Sequence, residues 1–308
     1  MEKAAPINPQ IKAERENRDR QQFAEWETAV KEWEAIGKVG KKPTKPQKIN
    51  DFPTITEEEL SDLFDPPSSW HWIKFGQLIR EGPQNGLYKS VSQYGSGTLI
   101  VRIDNFYDGR LNDWKTFKRL NINDAELKIY GLRDGDILIN RVNSMTHIGK
   151  CALVEKMVEH CVFESNIMRL KTLEDFIRQK FITYYLSSSV GLKELRKNAK
   201  QAVNQASINQ TDICFSRVPI CSLVEQEQIV QEIKSRLSIC DQLEATIIEN
   251  LQKAEALRQS ILKQAFEGKL VPQDPNDEPA EQLLERIRLE RQEKQPPKTS
   301  KQLKIKGI

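Results

Sequence analysis

The chain has 308 residues, of which 38% are hydrophobic, which is enough for one core with extended attachments and too few for three domains. No apolar run approaches the roughly 20 residues of a membrane helix, and residues 1–6 contain no signal-peptide core. We therefore expect a soluble, cytoplasmic protein with no membrane partner. The net charge is +3, and segment 70–222, with 22 basic and 15 acidic residues, carries the positive excess. This suits a nucleic-acid-binding core with protein-binding arms, and it also lies within ordinary surface variation.

Cysteine and histidine are sparse. The five cysteines form no C-x-x-C pair, and the three histidines form no H-E-x-x-H motif. A chain of this size does not need disulfide staples, so we expect reduced and mostly buried thiols. We predict no metal site, because no cluster has the spacing of zinc ligands.

The N-terminal part is predicted to be a charged helix over residues 9–36. Its apolar residues are spaced three or four apart, at Phe23, Trp26, Val30 and Trp33. Such a stripe needs a partner surface, so we assign Trp26 and Trp33 to a partner or dimer interface. A basic, proline-containing linker follows over 37–53. Thr56 and Glu59 then have the spacing of a capping box at the start of a short helix.

From Trp70 the pattern changes to short apolar runs bounded by glycines. These runs predict strands at 98–103, 136–139 and 151–154. Apolar residues at helical spacing predict helices over 173–186 and 190–200. The segment is therefore expected to be a mixed α and β domain.

After Leu223 the sequence predicts one long helix. Its apolar residues continue to Ala265 in steps of three or four, as an amphipathic helix or coiled-coil seam requires. Gly268 is the predicted C-cap, and prolines then separate this helix from a short one over 280–293, before a basic tail that we expect to be disordered. We assign to the partner or dimer interface the apolar positions Ile233, Leu237, Leu243, Ile247, Leu251 and Ile261.

Four stretches resemble one known family. Residues 223–230, LVEQEQIV, and 257–272, LRQSILKQAFEGKLVP, are similar to the regions that flank the long helix in type I restriction-modification specificity subunits. Residues 70–76, WHWIKFG, look like the tryptophan-containing opening of a target recognition domain. Residues 135–141, GDILINR, resemble its central strand. The resemblance covers nearly everything from 70 to 288.

The resemblance implies an α+β fold: a mixed α/β target recognition domain, a long coiled-coil-forming α-helix and an additional N-terminal helix. It predicts a domain division into 1–53, 54–222, 223–268 and 269–308. Full-length members of that family carry two recognition domains and two long helices, whereas this sequence shows one globular segment and no internal repeat. It therefore resembles a half-length subunit, which would pair with a second copy or with another half-specificity subunit.

The function implied by the resemblance is sequence recognition on double-stranded DNA, at one half of a bipartite target, with docking of the methyltransferase subunits. Catalysis is expected on those modification subunits and on restriction subunits where they are present. S-adenosylmethionine, ATP and Mg are expected only on these partners, with no cofactor on this chain. Two alternatives stay open: a helical dimerisation scaffold, and an antagonist that binds methylase subunits without specific DNA recognition.

The motifs in the sequence agree with a non-catalytic chain. It contains no G-x-x-x-x-G-K-[ST] for ATP. The Asp-Pro pairs at Asp65 and Asp274 lack the following aromatic residue that a methyltransferase of this class needs at the flipped base. Asp136 with Glu155 and Lys156 lacks the spacing of a metal-dependent nuclease motif.

Three segments are candidates for DNA contact. The first contains Lys89, Ser90, Tyr94 and Ser96, with Arg102 in the strand that follows. Its glycines permit close backbone approach and its lysine suits a phosphate, although a flexible hairpin is an equal interpretation.

The second segment is Asn140, Arg141, Asn143 and Ser144, predicted as an exposed loop after a strand. Arginine pairs bidentately with guanine and asparagine with adenine, so the loop suits base reading. In the alternative, Arg141 pairs with Asp136 or Glu155 and the loop is structural.

The third segment is the polar stretch 201–211, which also resembles the stretch that closes the domain before the long helix. Lys197 and Lys200 lie just before it and are candidate phosphate anchors. Within the stretch, the candidates are Asn204, Gln205, Ser207 and Asn209.

Overall fold

The computed structural model describes residues 9–35, 37, 43, 45, 52–107, 109–203 and 205–294. It divides the chain into two compact units, 1–235 and 236–308. Among the described residues, no helix combines the length and the apolar character needed to span a bilayer. The predicted basic tail and most of the predicted linker lie outside the described residues.

The described helices follow the cap and spacing signals of the sequence. They are α1 Pro9–Ala35, α2 Glu57–Ser61, α3 Asp124–Tyr130, α4 Gln179–Ser187, α5 Ser189–Arg196, α6 Gln210–Phe215, α7 Leu223–Phe266 and α8 Ala280–Glu293. Single 3-10 turns lie at Phe75–Gln77, Val91–Gln93 and Trp114–Thr116.

All the described strands belong to the first unit. They are β1 His71–Lys74, β2 Ile79–Asn85, β3 Tyr94–Val101, β4 Phe106–Tyr107, β5 Arg110–Leu111, β6 Lys118–Leu120, β7 Ile137–Asn140, β8 Val142–Asn143, β9 Cys151–Leu153, β10 Cys161–Phe163, β11 Ile167–Thr172, β12 Lys200–Ala202, β13 Gln205–Ser207 and β14 Arg217–Ile220.

The central sheet has four antiparallel strands in the order β2-β11-β7-β9. All four residues of β7 are buried. Ile137 and Ile139 belong to one apolar cluster and Leu138 to another, because successive side chains of a strand point to opposite faces. An uninterrupted apolar run is thus the sequence signature of a strand covered on both sides.

The first unit also contains smaller sheets. β3 pairs with β10 in parallel and with β6 antiparallel, and β12, β13 and β8 form a three-stranded antiparallel sheet. β1 pairs antiparallel with β14, with Lys74 opposite Arg217. The first and last strands of the unit therefore close on each other. The predicted mixture of α and β elements with a long C-terminal helix is confirmed.

The N-terminal helix contacts its own unit. Ile11 is buried, and the Arg15 guanidinium lies 5.1 Å from the centre of the Phe52 ring. Trp26, predicted to meet a partner, donates its indole N–H to the carbonyl of Pro43 at 3.1 Å. The predicted capping box is confirmed at α2, where Thr56 and Glu59 each accept from the other's backbone N–H.

Two predicted helices are shorter than expected. The helix predicted over 173–186 begins only at Gln179, because Leu173 donates its N–H to the Leu78 carbonyl and starts a turn. The helix predicted over 190–200 ends at Arg196. Lys200–Ala202 instead forms a strand paired with Gln205–Ser207. The prediction of a polar loop over 201–211 is therefore wrong, because its first part is a β-hairpin.

The long helix begins at Leu223 as predicted and ends at Phe266. Gly268 follows with φ +72°, a left-handed conformation that glycine adopts without strain. Along α7 within the second unit, large apolar side chains are exposed, among them Leu243, Ile247, Leu251 and Ile261. The predicted short helix is confirmed as α8.

Candidate nucleic-acid interface

Several loops meet at one end of the central sheet, which we call the loop end. β2 and β7 end there and β11 begins there, because Asn85 pairs with Met168 and Ile167 pairs with Asn140. The segments that leave or enter these strands are residues 86–93, 141–150 and 164–166. Two of the three predicted DNA-contact segments therefore start at the loop end. The third segment is connected to the loop end because β13 pairs with β8.

A turn at residues 164–166 holds the loop end together. Leu87 donates its backbone N–H to the Phe163 carbonyl, and Gly86 donates to Ile167. On the other side, Arg141 donates its backbone N–H to the Asn166 carbonyl at 2.8 Å. This turn is absent from the predictions made from the sequence, although its polar residues lie between two buried apolar strands, which is a turn signal.

Gly86 permits the close approach at this turn. A Cβ at Gly86 would lie 2.2 Å from the carbonyl oxygen of Glu164. Any side chain there would push the two backbone segments apart, so glycine is required at this position.

Arg102 meets this turn through a carboxylate. Its Nε lies 3.4 Å from Glu164 Oε2, while Glu164 Oε1 accepts the backbone N–H of Ile103 at 2.7 Å. Both side chains are partly buried. Arg102 is therefore placed at the loop end with its charge partly compensated.

The predicted exposed loop at Asn140 is wrong for that residue. Asn140 is the last residue of β7 and is fully buried, because β11 pairs alongside it. Its Oδ1 has no hydrogen-bond partner within the described part of the chain. Asn140 therefore lies in the protein interior at the start of the loop, and its side chain does not face solvent.

Arg141 is half-buried, and its guanidinium donates to the Ser165 carbonyl at 3.2 Å. Asp136 and Glu155, the two alternative partners of Arg141, pair with other residues. Asp136 lies at the opposite end of β7, 4.0 Å from Arg169 and 3.8 Å from Lys171, and Glu155 pairs with Lys180 at 2.7 Å. Arg141 thus carries a positive charge to the 164–166 turn without a carboxylate partner among the described residues.

Asn143 and Ser144 are half-buried and bonded within their own turn. Asn143 Oδ1 accepts the Ser144 backbone N–H at 2.8 Å. The Ser144 hydroxyl lies 3.0 Å from the Thr146 hydroxyl and 2.9 Å from His147 Nδ1. Local hydrogen bonds therefore fix the side chains of Asn143 and Ser144 in the unliganded chain.

The first predicted segment is partly engaged by its own chain. Lys89 Nζ lies 2.6 Å from Glu126 Oε1, and the Ser90 hydroxyl lies 2.8 Å from that of Ser92. Tyr94 is half-buried, and burial together with Glu164 raises the pKa of its hydroxyl. Ser96 is exposed in β3.

The two glycines of this segment differ. Gly97 has φ +100°, and a Cβ there would lie 2.6 Å from the Leu120 carbonyl oxygen. At Gly95 nothing described lies within 4 Å. Close backbone approach is therefore required at Gly97, where the neighbour is the chain's own strand β6.

The third segment contributes a hairpin made of β12 and β13. Ala206 pairs with Asn143 of β8 and is buried, while Lys200 and Gln205 are exposed. Ser207 is half-buried, and Asn204 lies outside the described residues. The hairpin therefore extends the loop end as a polar surface.

Two predicted residues serve other roles. Lys197 faces α2, with its Nζ 3.5 Å from Asp62 Oδ2. Asn209 is the N-cap of α6, where its side chain accepts the Asp212 backbone N–H and Asp212 reciprocates. Within the described residues, no group of three or more His, Cys, Asp or Glu side chains is arranged to hold a metal ion.

Polar loops and two arginines, Arg102 and Arg141, thus gather at one end of the buried central sheet. A family model described as "Type I restriction modification DNA specificity domain" matches residues 102–253. The match includes Arg141, the 164–166 turn, the hairpin and residues 223–253 of α7. Over these residues the chain belongs to the family of type I restriction-modification DNA specificity domains.

Curated relatives agree with this assignment. The chain is 29% identical over 236 residues to the StySPI specificity subunit of Salmonella potsdam, covering 72% of this chain and 50% of the relative. It is 28% identical over 206 residues to the putative MjaX specificity subunit of Methanocaldococcus jannaschii, covering 67% and 47%. The chain thus spans about half the length of the curated relatives it matches.

A solved structure supports the fold. A chain from work on complex assembly and conformational transition of the type I R-M system aligns with a TM-score of 0.51 and 19% identity. The alignment covers 85% of this chain and 56% of that one. At this identity the likeness concerns the fold alone.

Proposed function

We propose that this chain recognises DNA sequence for a type I restriction-modification complex. The observation that carries the proposal is the loop end of the sheet, which gathers three polar segments. The second and third segments, and Arg102 of the first, lie inside the region matched by the DNA specificity domain. Base edges in the major groove are read by arginine, asparagine, glutamine and serine side chains, and these are the residue types found there.

One recognition domain reads one half of a bipartite target. A second half-site requires a second recognition domain, which a second copy of this chain or a different half-specificity subunit would bring. The exposed apolar stripe of α7 is the surface proposed to meet a partner helix and the methyltransferase subunits.

Chemistry belongs to the partners in this proposal. S-adenosylmethionine, ATP and Mg bind to modification and restriction subunits, and this chain supplies sequence selection without a catalytic step. The sequence motifs support this division, because no nucleotide-binding loop is present.

The test is co-expression of the chain with its modification subunits, followed by sequencing of methylated bases in host DNA. The expected result is a bipartite motif that appears only with this chain. A symmetric motif indicates two copies of the chain, and an asymmetric one indicates a second recognition sequence. A stable complex without any motif would favour the scaffold or the antagonist and overturn the proposal.

A further inference from the structure

The β12–β13 hairpin has two distinct faces. Residues directly opposite each other in an antiparallel pair point to the same side of the sheet. Gln201 lies opposite Ala206, which in turn lies opposite Asn143. Ala206 on this face is 1% exposed and belongs to the main apolar cluster, so the β13 side of this face is directed toward the core, while Gln201 on β12 is exposed.

The other face is directed outward. Lys200 lies opposite Ser207, and Ala202 lies opposite Gln205. Lys200 makes no ion pair with any described residue, and Gln205 makes no side-chain hydrogen bond with one. The Lys200 ammonium group and the Gln205 amide therefore lie on the same outward face, and both can bind a ligand.

An exposed valine stands at the tip of the hairpin. Val203 follows β12 directly and is 99% exposed. Hairpin tips favour glycine, asparagine and aspartate, so a fully solvated valine adds no turn chemistry. Its two methyl groups contact nothing in the described chain, and burial of one methyl against a ligand is favourable by about fourfold in affinity.

We infer that the β12–β13 hairpin enters the DNA major groove and that Val203 contacts the C5 methyl group of a thymine there. The inference rests on the proposed function and names the contact that it makes. A two-stranded ribbon fits the major groove, which is about 12 Å wide, and thymine presents its methyl only in that groove. Gln205 on the outward face then reads a neighbouring base, and Lys200 meets phosphate.

The test uses the full chain in complex with its modification subunits. The probes are duplexes carrying the motif found by methylation sequencing, and copies in which each thymine in turn is replaced by deoxyuridine, which lacks only the methyl group. Dissociation constants are measured by fluorescence anisotropy at one fixed salt concentration, because affinity for DNA depends steeply on salt.

The wild-type complex is expected to lose about fourfold in affinity at one thymine when its methyl is removed. Val203→Ser should bind the thymine duplex about as weakly as the wild type binds that deoxyuridine duplex, and should not distinguish the two. A substitution at so exposed a residue leaves folding intact. The matched control is Val158→Ser, because Val158 is also exposed and lies beyond β9 at the opposite end of the sheet from the loop end.

A second matched pair tests the orientation of the hairpin. Gln205→Ala is expected to relax the preference for one base next to the methyl-dependent thymine. Gln201→Ala removes the same side chain from the opposite face of the hairpin and should leave base preference unchanged.

The outcomes separate this inference from the function on which it rests. If the wild-type complex binds no duplex sequence-specifically, the proposed function itself fails. If binding is specific but the half-site has no thymine whose methyl contributes through Val203, only the hairpin inference is overturned. Equal relaxation by Gln201→Ala and Gln205→Ala would also overturn it.

Discussion

Glu194 on α5 and Arg217 on β14 form a bidentate ion pair inside the first unit. Arg217 Nε lies 2.7 Å from Glu194 Oε2, and the second guanidinium nitrogen lies 2.5 Å from Oε1. The two side chains are 4% and 2% exposed. Arg217 also donates to the Glu59 carbonyl, so the pair ties α2, α5 and β14 together.

Removing one partner of this pair should be costly. We expect Glu194→Ala to lower the free energy of unfolding by about 3–5 kcal/mol, because it leaves the buried Arg217 guanidinium without its bidentate carboxylate partner. Urea denaturation followed by circular dichroism measures the loss. Glu159→Ala is the matched control, since Arg119 and Glu159 also pair at 2.5 Å but are 40% and 44% exposed. That pair is screened by water, so we expect little change. Similar losses in both variants would contradict the expectation.

Local signals predicted the helices that depend on neighbouring residues. The sequence correctly predicts the capping box of Thr56 and Glu59 and the helix end at Gly268, because each of these signals acts within one turn of the chain. The apolar run before Asn140 likewise predicts a strand, which the structure contains as β7. These features need no knowledge of distant residues.

Pairing between strands that are distant in the sequence determines which polar residues are buried, and the sequence pattern alone does not predict it. Asn140 was expected in an exposed loop, yet it is buried because Ile167 of β11 lies opposite it. The stretch after Lys200 was expected to be an open loop, and it became a hairpin because Ala206 pairs with Asn143. Which polar residues face outward follows from these registers, and no local pattern reports them.

Lys89, which is predicted to contact phosphate, forms an ion pair with Glu126. Glu126 lies within hydrogen-bond distance of Lys89, and this contact lowers the pKa of its carboxyl group. We expect Glu126→Gln to release Lys89 for a phosphate, which raises DNA affinity at low salt and makes the slope of log affinity against log salt steeper by about one unit. Gln keeps the cap to the Asn123 backbone N–H.

The double variant provides the control for this prediction. Adding Lys89→Met to Glu126→Gln should return the salt slope to the wild-type value. Anisotropy titrations at several salt concentrations measure the slope. A steeper slope that survives in the double variant would show that Lys89 is not the phosphate contact.

Asp136 gives the first unit a distinct pH dependence. Burial raises the pKa of its carboxyl group from the ordinary 3.8, against the opposing effects of the Arg133 backbone N–H, Arg169 and Lys171. The folded state therefore holds this proton more tightly than the unfolded state does. Stability contributed by the protonated form is present below pH 3.8 and is lost as the pH rises through the folded pKa.

Asp136→Asn should remove this dependence. Relative to wild type, the variant is expected to gain unfolding free energy as the pH rises from about 3.8 toward neutrality. Urea titrations of both proteins at matched pH values measure the difference. A difference that stays constant over this range, or that falls with rising pH, would show that the folded pKa of Asp136 is not raised.

The apolar stripe of α7 should be needed for association and not for the stability of the chain itself. Leu251 is 65% exposed, so truncating it removes little packing within the described residues. If a partner helix buries it, the lost contact is about 1.5–3 kcal/mol, and the dissociation constant should rise at least about tenfold. We therefore expect Leu251→Gln to weaken self-association in sedimentation experiments or co-purification with the modification subunits, with unchanged thermal unfolding of the monomer. Gln252→Ala, one position away and off the stripe, should change none of these measurements. If Leu251→Gln leaves both kinds of association intact, the stripe is not the partner surface.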